Sequence, residues 1–291
     1  MRLTSLLFLI LLLNLHTHGQ SDYADEIRRW DSSRVRALKD VNGWLNLAGL
    51  FWLKEGVNRF GTDSANDVVF PKGSVVPMAG NFILEKGKVT LLQADAGTIL
   101  INNRLQKERV LFHPDSAYAP VCASNSFRWT IIRREDKYAI RLRDLNSPVI
   151  KNFKGINRYP ADSSWRVEAM LEKGSGWVTI TNVLGQTIQQ ESPGRLVFTL
   201  QGKTFKLDAL KEGNELFIII GDETSALTTY GAGRYIYAKW PDNNGKTILD
   251  FNKAFNPPCA FTDFATCPLP PKQNILPIAI TAGEKDPHAE H

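Results

Sequence analysis

The residues best placed to do chemistry stand beside loops in the C-terminal third of the chain. Asp250 and Glu284 lie on either side of a segment rich in proline and asparagine. Two carboxylates can divide the roles of general acid and general base. Tyr230 and Arg234 flank Gly231-Ala232-Gly233, where small residues allow close backbone approach and can turn a phenol and a guanidinium into a pocket. The structural counterpart is a plain turn with Arg234 paired to Asp222 or Glu223. Histidine is scarce: His113 stands alone between His18 and His288, and no Gly-x-Ser-x-Gly elbow accompanies it. A Ser-His-Asp relay therefore has little to build on. No Cys-x2-Cys or His-x3-His spacing points to zinc, and no metal or cofactor is assigned.

The cysteines depend on where the chain resides. Arg2, the apolar run Leu6 to Leu13 and the short residues around Thr17-His18-Gly19 read as a signal peptide over residues 1–19. Export to the periplasm or beyond follows, and the run is too short to span a bilayer as a retained helix. In an oxidising compartment Cys259 and Cys267, eight positions apart, can close a disulfide ring worth roughly 2.5 kcal/mol. Two free structural thiols, or a metal or catalytic pair, are the other readings. Cys122 stands apart.

These groups need a scaffold, and the pattern for it is mostly strand. Asp22, Asp25 and Glu26 suit the start of a helix, and Ile27, Trp30, Val35 and Leu38 recur at helical spacing within residues 20–43. From Trp44 onward short alternating runs are separated by turn residues. Phe82-Ile83-Leu84 and Val89 to Leu92 flank Glu85-Lys86-Gly87-Lys88, a hairpin. Phe127, Trp129 and Ile131 alternate with polar residues, as do Tyr138, Ile140 and Leu142 beyond Arg134 to Lys137, giving a second hairpin with one apolar face and one cationic face (Arg128, Arg141, Arg143). Strands are expected at Trp165–Leu171, Trp177–Thr181, Leu196–Leu200, Thr204–Leu207, Leu216–Ile220, Tyr235–Tyr237 and Thr247–Phe251. This predicts a mainly β, antiparallel barrel or sandwich over 44–285, with an N-terminal helix and a Pro/Cys-rich C-terminal loop. A subdomain break near residue 160 is the alternative to one continuous β unit, and residues 286–291 form a tail.

The chain has 291 residues, 22% of them charged, and a net charge of +5. The charges are mixed and no nucleic-acid motif accompanies them, so a soluble surface is the reading. Gly49 to Gly61, leading into Asn66 to Pro71, resembles the opening of a forkhead-associated phosphopeptide-binding domain. The arginine and the Ser-Arg pair which that family uses are replaced by Thr62 and by Gly73-Ser74-Val75. A tryptophan-rich β-meander is the better reading.

One resemblance is specific. Asp250-Phe251-Asn252, Asn256-Pro257-Pro258-Cys259-Ala260-Phe261, Thr266-Cys267-Pro268-Leu269-Pro270-Pro271, Asn274 and Ala282-Gly283-Glu284-Lys285 together resemble the domain-of-unknown-function 1684 family. Trp44-Leu45, Gly49 to Leu53 and Tyr230 to Arg234 fit the same pattern, so the resemblance runs from Trp44 to Lys285. It implies a bacterial or archaeal protein with no assigned activity. The pattern singles out Asp250, Asn252, Asn256, Asn274, Glu284 and Lys285. Such side chains either satisfy backbone groups in a stiff loop or converge on a ligand. The expectation is a small-molecule or glycan site at this loop, with hydrolysis as the chemistry open to it. Asp250 and Glu284 would be acid and base, Arg234 and Lys285 would meet an anionic group, and Tyr230, Asn252, Asn256 and Asn274 would orient the ligand. The alternative is a non-catalytic envelope protein whose loop is structural or meets a protein partner.

Overall fold

The computed structural model describes residues 22–94, 98–116 and 118–289, so the signal-peptide reading falls outside the described residues. The protein is mainly β, with antiparallel sheets and an N-terminal helix over residues 22–39. It divides into two compact units, residues 37–153 and residues 1–36 with 154–291.

Residues 37–153 fold as two sheets around one core. A six-stranded sheet runs in the order Leu47–Trp52, Lys137–Asp144, Phe127–Arg134, Cys122–Ser124, Leu100–Ile101, Arg104–Leu105. A five-stranded sheet runs Val68–Val69, Gly56–Gly61, Gly80–Glu85, Lys88–Gln93, Glu108–Phe112. Phe60, Phe70, Phe82, Trp129 and Ile140 fill the space enclosed. Both expected hairpins form. Glu85 pairs with Lys88 across Lys86-Gly87, whose φ angles of 49° and 81° give the twist that a two-residue turn needs. Arg134 pairs with Lys137, and Phe127, Trp129 and Ile131 are buried as the alternation requires. The opposite face is less solvated than its charge suggests. Arg143 is held by the carbonyl of Gly43 and, at 2.6 Å, by Asn46 Oδ1, and burial lowers its pKa.

The other unit is a nearly closed antiparallel sheet. Its order is Arg234–Lys239, Glu215–Asp222, Lys203–Glu212, Gly194–Leu200, Arg166–Lys173, Lys246–Asp250. The two end strands meet, since Thr247 Oγ1 donates to the carbonyl of Lys239 at 2.8 Å. Leu196, Phe198, Leu207, Ile218, Ile236 and Phe251 fill the interior. The short strand Ile275–Leu276 adds to Glu215–Asp222 in parallel, and Trp177–Thr181 pairs with Thr187–Glu191 as a separate hairpin. Residues 22–36 of the helix brace this unit, with Ile27 buried and Trp30 against Phe255 at 6.5 Å between ring centroids.

Candidate functional site

The Pro/Cys segment begins where strand Lys246–Asp250 ends. Asp250 caps the turn Phe251–Lys253, and its Oδ1 accepts from the amide of Asn252 at 3.1 Å. The same oxygen accepts from Tyr23 Oη at 2.7 Å. Burial, then the bond to Asp250, raises the Tyr23 pKa, so the phenol stays a donor. Asn252 binds this pair to a neighbouring loop, accepting from the amide of Asp162 at 3.0 Å and donating to Tyr23 Oη and the Asp162 carbonyl, each at 2.8 Å. Asp250 Oδ2 has a different environment. It is buried and has no hydrogen-bond partner, with Lys253 Nζ 3.8 Å away.

The side chains of Arg234, Asp250 and Glu284 each have their own partners. Arg234 is 1% exposed. It donates to Asp222 Oδ2 at 2.8 Å and to the carbonyls of Ile280 (3.1 Å), Ala282 and Glu284. Gly233 before it has φ 88°, and a Cβ there would lie 2.5 Å from the Ile220 carbonyl oxygen and from Pro270 Cγ. The small residues therefore serve close packing, and the guanidinium ties the C-terminal segment to the barrel. Glu284 is fully buried, with Oε1 3.2 Å from Arg34 Nε and Oε2 accepting from the amide of Asn256 at 2.7 Å. Burial outweighs these partners and raises its pKa.

Of the remaining expected residues, Asn256 and Asn274 are buried, and Tyr230, Cys259 and Lys285 are half-buried. Asn256 donates to the Lys285 carbonyl at 2.7 Å. Asn274 accepts from the amide of Asp208 at 2.7 Å and donates to the carbonyls of Asp208 and Ile219 at 2.9 Å. Lys285 places Nζ 4.8 Å from the centroid of the Tyr159 ring. Tyr230 Oη donates to the carbonyl of Cys259 at 3.1 Å. Cys259 and Cys267 are free thiols here, the amide of Cys259 donating to Cys267 Sγ at 3.1 Å. The hydrogen bond from Cys267, helped by that from Tyr230, holds the Cys259 thiol below the usual range, while Cys267 is raised.

Asp250 lines a cavity of about 540 Å³. Trp30, Tyr237, Trp240 and Phe255 line it with Glu26, Arg166 and Lys253. Tyr237 and Phe255 stack at 5.8 Å and 16°, and Trp240 is 39% exposed. Lys253 Nζ lies 2.6 Å from Glu26 Oε1 as well as 3.8 Å from Asp250 Oδ2, so the two carboxylate oxygens are no farther apart than the sum of those distances. The hydrogen bond from Lys253 lowers the Glu26 pKa. Apolar ring faces, a carboxylate and an ammonium in one concavity suit a ligand with both C–H faces and hydroxyls. Sequence reasoning missed Trp30, Tyr237 and Trp240 as site residues. Trp30 reads as a helix position and Tyr237 as a strand residue, while Trp240 lies just past the expected strand, beside Pro241 and Asp242.

The family model described as "Protein of unknown function (DUF1684)" matches residues 151–285. The chain belongs to this family. DUF1684 thus covers the barrel and the whole Pro/Cys segment, including Asp250, Asn252, Asn256, Asn274, Glu284 and Lys285. The matched span leaves out the Trp44 to Leu53 stretch that the sequence resemblance also took in. An uncharacterized protein of Haloarcula marismortui, solved in solution by NMR, is similar to this chain at 30% identity. The similarity covers 46% of this chain and 78% of that one, with a TM-score of 0.40. No curated protein matches the chain.

Proposed function

We propose that this DUF1684 protein binds a short glycan or another polyhydroxylated small molecule in the cavity at Asp250. The supporting observation is that Asp250, whose buried Oδ2 has no hydrogen-bond partner, lines an aromatic cavity. A buried acceptor without a partner costs about 1–3 kcal/mol, which a ligand hydroxyl would recover. Trp240 and Tyr237 offer faces for the C–H side of a sugar ring, and Lys253 offers a donor. Glu26 held ionised by Lys253 favours recognition over hydrolysis, because a glycosidic oxygen needs a protonated carboxyl beside it. Asp250→Asn puts an amide donor where the ligand would meet an acceptor. Calorimetric titration with gluco-, xylo- and malto-oligosaccharides should show at least a tenfold weakening for Asp250→Asn and a several-fold weakening for Trp240→Ala. Absence of binding throughout the panel would favour the non-catalytic structural or protein-interaction role.

The proposal takes the chain as exported, with Cys259 and Cys267 joined in an oxidising compartment. The lowered Cys259 pKa supports it as the thiolate that attacks Cys267 held as a mixed disulfide with a small-molecule disulfide, whose thiol then leaves. Mild oxidation should lower the intact mass by two hydrogens in the wild type and leave Cys259→Ser unchanged. Two alkylatable thiols surviving oxidant at this pair would overturn the bridge.

A further inference from the structure

We propose that a second cleft in the DUF1684 barrel unit binds a carboxylate-bearing sugar, such as a uronic acid in an oligosaccharide. This cleft has a volume of about 750 Å³ and shares no residue with the Asp250 cavity. Its walls are the strand Trp177–Thr181, residues 172–175, the start of strand Gly194–Leu200 and Pro270 to Gln273 of the Pro/Cys segment.

The charges in its wall are unevenly engaged. Its two acids already have partners. Asp208, 4% exposed, takes Arg195 Nε on Oδ1 at 2.7 Å and the Gln273 amide on Oδ2, and Glu172 takes Lys206 Nζ at 2.7 Å. The cations are mostly free. Lys173 and Lys272 are exposed and form no ion pair among the described residues. Arg195 lines the cleft and commits Nε to Asp208, and its two terminal nitrogens have no protein acceptor among the described residues.

Asp208 is itself fixed. Its amide donates to Asn274 Oδ1, and its carbonyl accepts from Asn274 Nδ2. The Nε bond to this carboxylate leaves the two terminal nitrogens of Arg195 as N–H donors suited to the two oxygens of a ligand carboxylate. Preorganisation of this kind lowers the ordering cost of binding. Asp208 and Glu172 remain in the wall, which makes a monoanion a better match than a phosphate dianion. Trp177 supplies the second half of the recognition. It is 59% exposed, and Thr179, two residues on and facing the same way, accepts from Gln189 Nε2 at 2.8 Å. A solvent-facing indole at a cationic cleft is a platform for a sugar ring.

Calorimetric titration of the full chain with tri-galacturonate tests this, with neutral maltotriose and inorganic phosphate as comparators. Tri-galacturonate is expected to bind at least tenfold more tightly than either, with affinity falling as salt is raised. Arg195→Ala should lose at least tenfold and Arg195→Lys nearly as much, because the fork is lost while the charge stays. Since removing Arg195 deprives Asp208 of its cation, Trp177→Ala and Lys272→Ala provide exposed variants that keep the fold, each expected to weaken binding at least threefold. Equal affinity for maltotriose or phosphate, no binding of tri-galacturonate, or unchanged binding in Trp177→Ala and Lys272→Ala would overturn the proposal.

Discussion

Arg234→Met should destabilise the protein by about 3–5 kcal/mol, the range seen when one partner of a buried ion pair is removed. Both side chains of the Arg234–Asp222 pair are 1% exposed. Methionine fills much of the volume but strands the Asp222 carboxylate without its cation, and it leaves the carbonyls of Ile280, Ala282 and Glu284 without this donor. The rest of the Asp222 environment survives, since Oδ1 still accepts from the amide and hydroxyl of Thr224 and the amide of Ile280. A second change, Asp222→Asn, removes the stranded charge. Arg234→Met with Asp222→Asn should therefore be more stable than the two single losses added together, by 1 kcal/mol or more. Urea titration of the four proteins measures this coupling. Additive losses would mean that the pair contributes only through packing.

Glu284→Ala is the second large effect, about 3 kcal/mol at neutral pH. It leaves the amide of Asn256, a fully buried residue, without an acceptor, and Arg34 without its carboxylate. Arg34 keeps the Asn256 carbonyl at 2.8 Å and the Phe255 ring at 4.7 Å, which limits the loss. Glu284→Gln keeps one acceptor and should cost less. The pH dependence has a definite sign. The folded-state pKa of Glu284 lies above its ordinary value of 4.5, so the native state holds this proton more tightly than the unfolded chain does. The stability it contributes is complete below about 4.5 and is lost as pH rises through the folded pKa. The stability advantage of wild type over Glu284→Gln should therefore shrink between acid and neutral pH. An advantage that grows with pH would contradict the burial argument.

The elements most legible in the sequence are those where local chemistry and tertiary packing agree. The Lys86-Gly87 turn needs positive φ at both positions, and the residues on either side alternate as a two-faced strand must. Thr187–Glu191 was not legible because Thr-Ile-Gln-Gln-Glu offers one apolar residue, and the strand exists through its partner Trp177–Thr181. Strand Lys203–Glu212 extends beyond the expected Thr204–Leu207 because its polar ends are carried by pairing with Gly194–Leu200 and Glu215–Asp222. At the site, Asp250 was legible as a carboxylate at a loop edge, whereas its surroundings were not. Tyr23, Trp30, Tyr237 and Trp240 are brought to it by the brace helix and by the meeting of the two end strands. No periodicity records such an encounter. Arg234 shows the reverse: a conspicuous arginine beside glycines, legible as a turn residue paired to Asp222 or Glu223, and it is Asp222 that it meets.

Recognition of a polyhydroxylated ligand by the aromatic cavity at Asp250 can be read from the tryptophans around it. Tryptophan indole N–H resonances of isotope-labelled protein, followed by NMR during titration with neutral oligosaccharides, test it most directly because the seven tryptophans report separately. Trp30 and Trp240 are expected to shift with a common saturation curve while Trp177 does not, and Asp250→Asn should move that curve to at least tenfold higher ligand concentration. Indole resonances that stay fixed across the panel, or shifts at Trp30 and Trp240 that persist unchanged in Asp250→Asn, would contradict it.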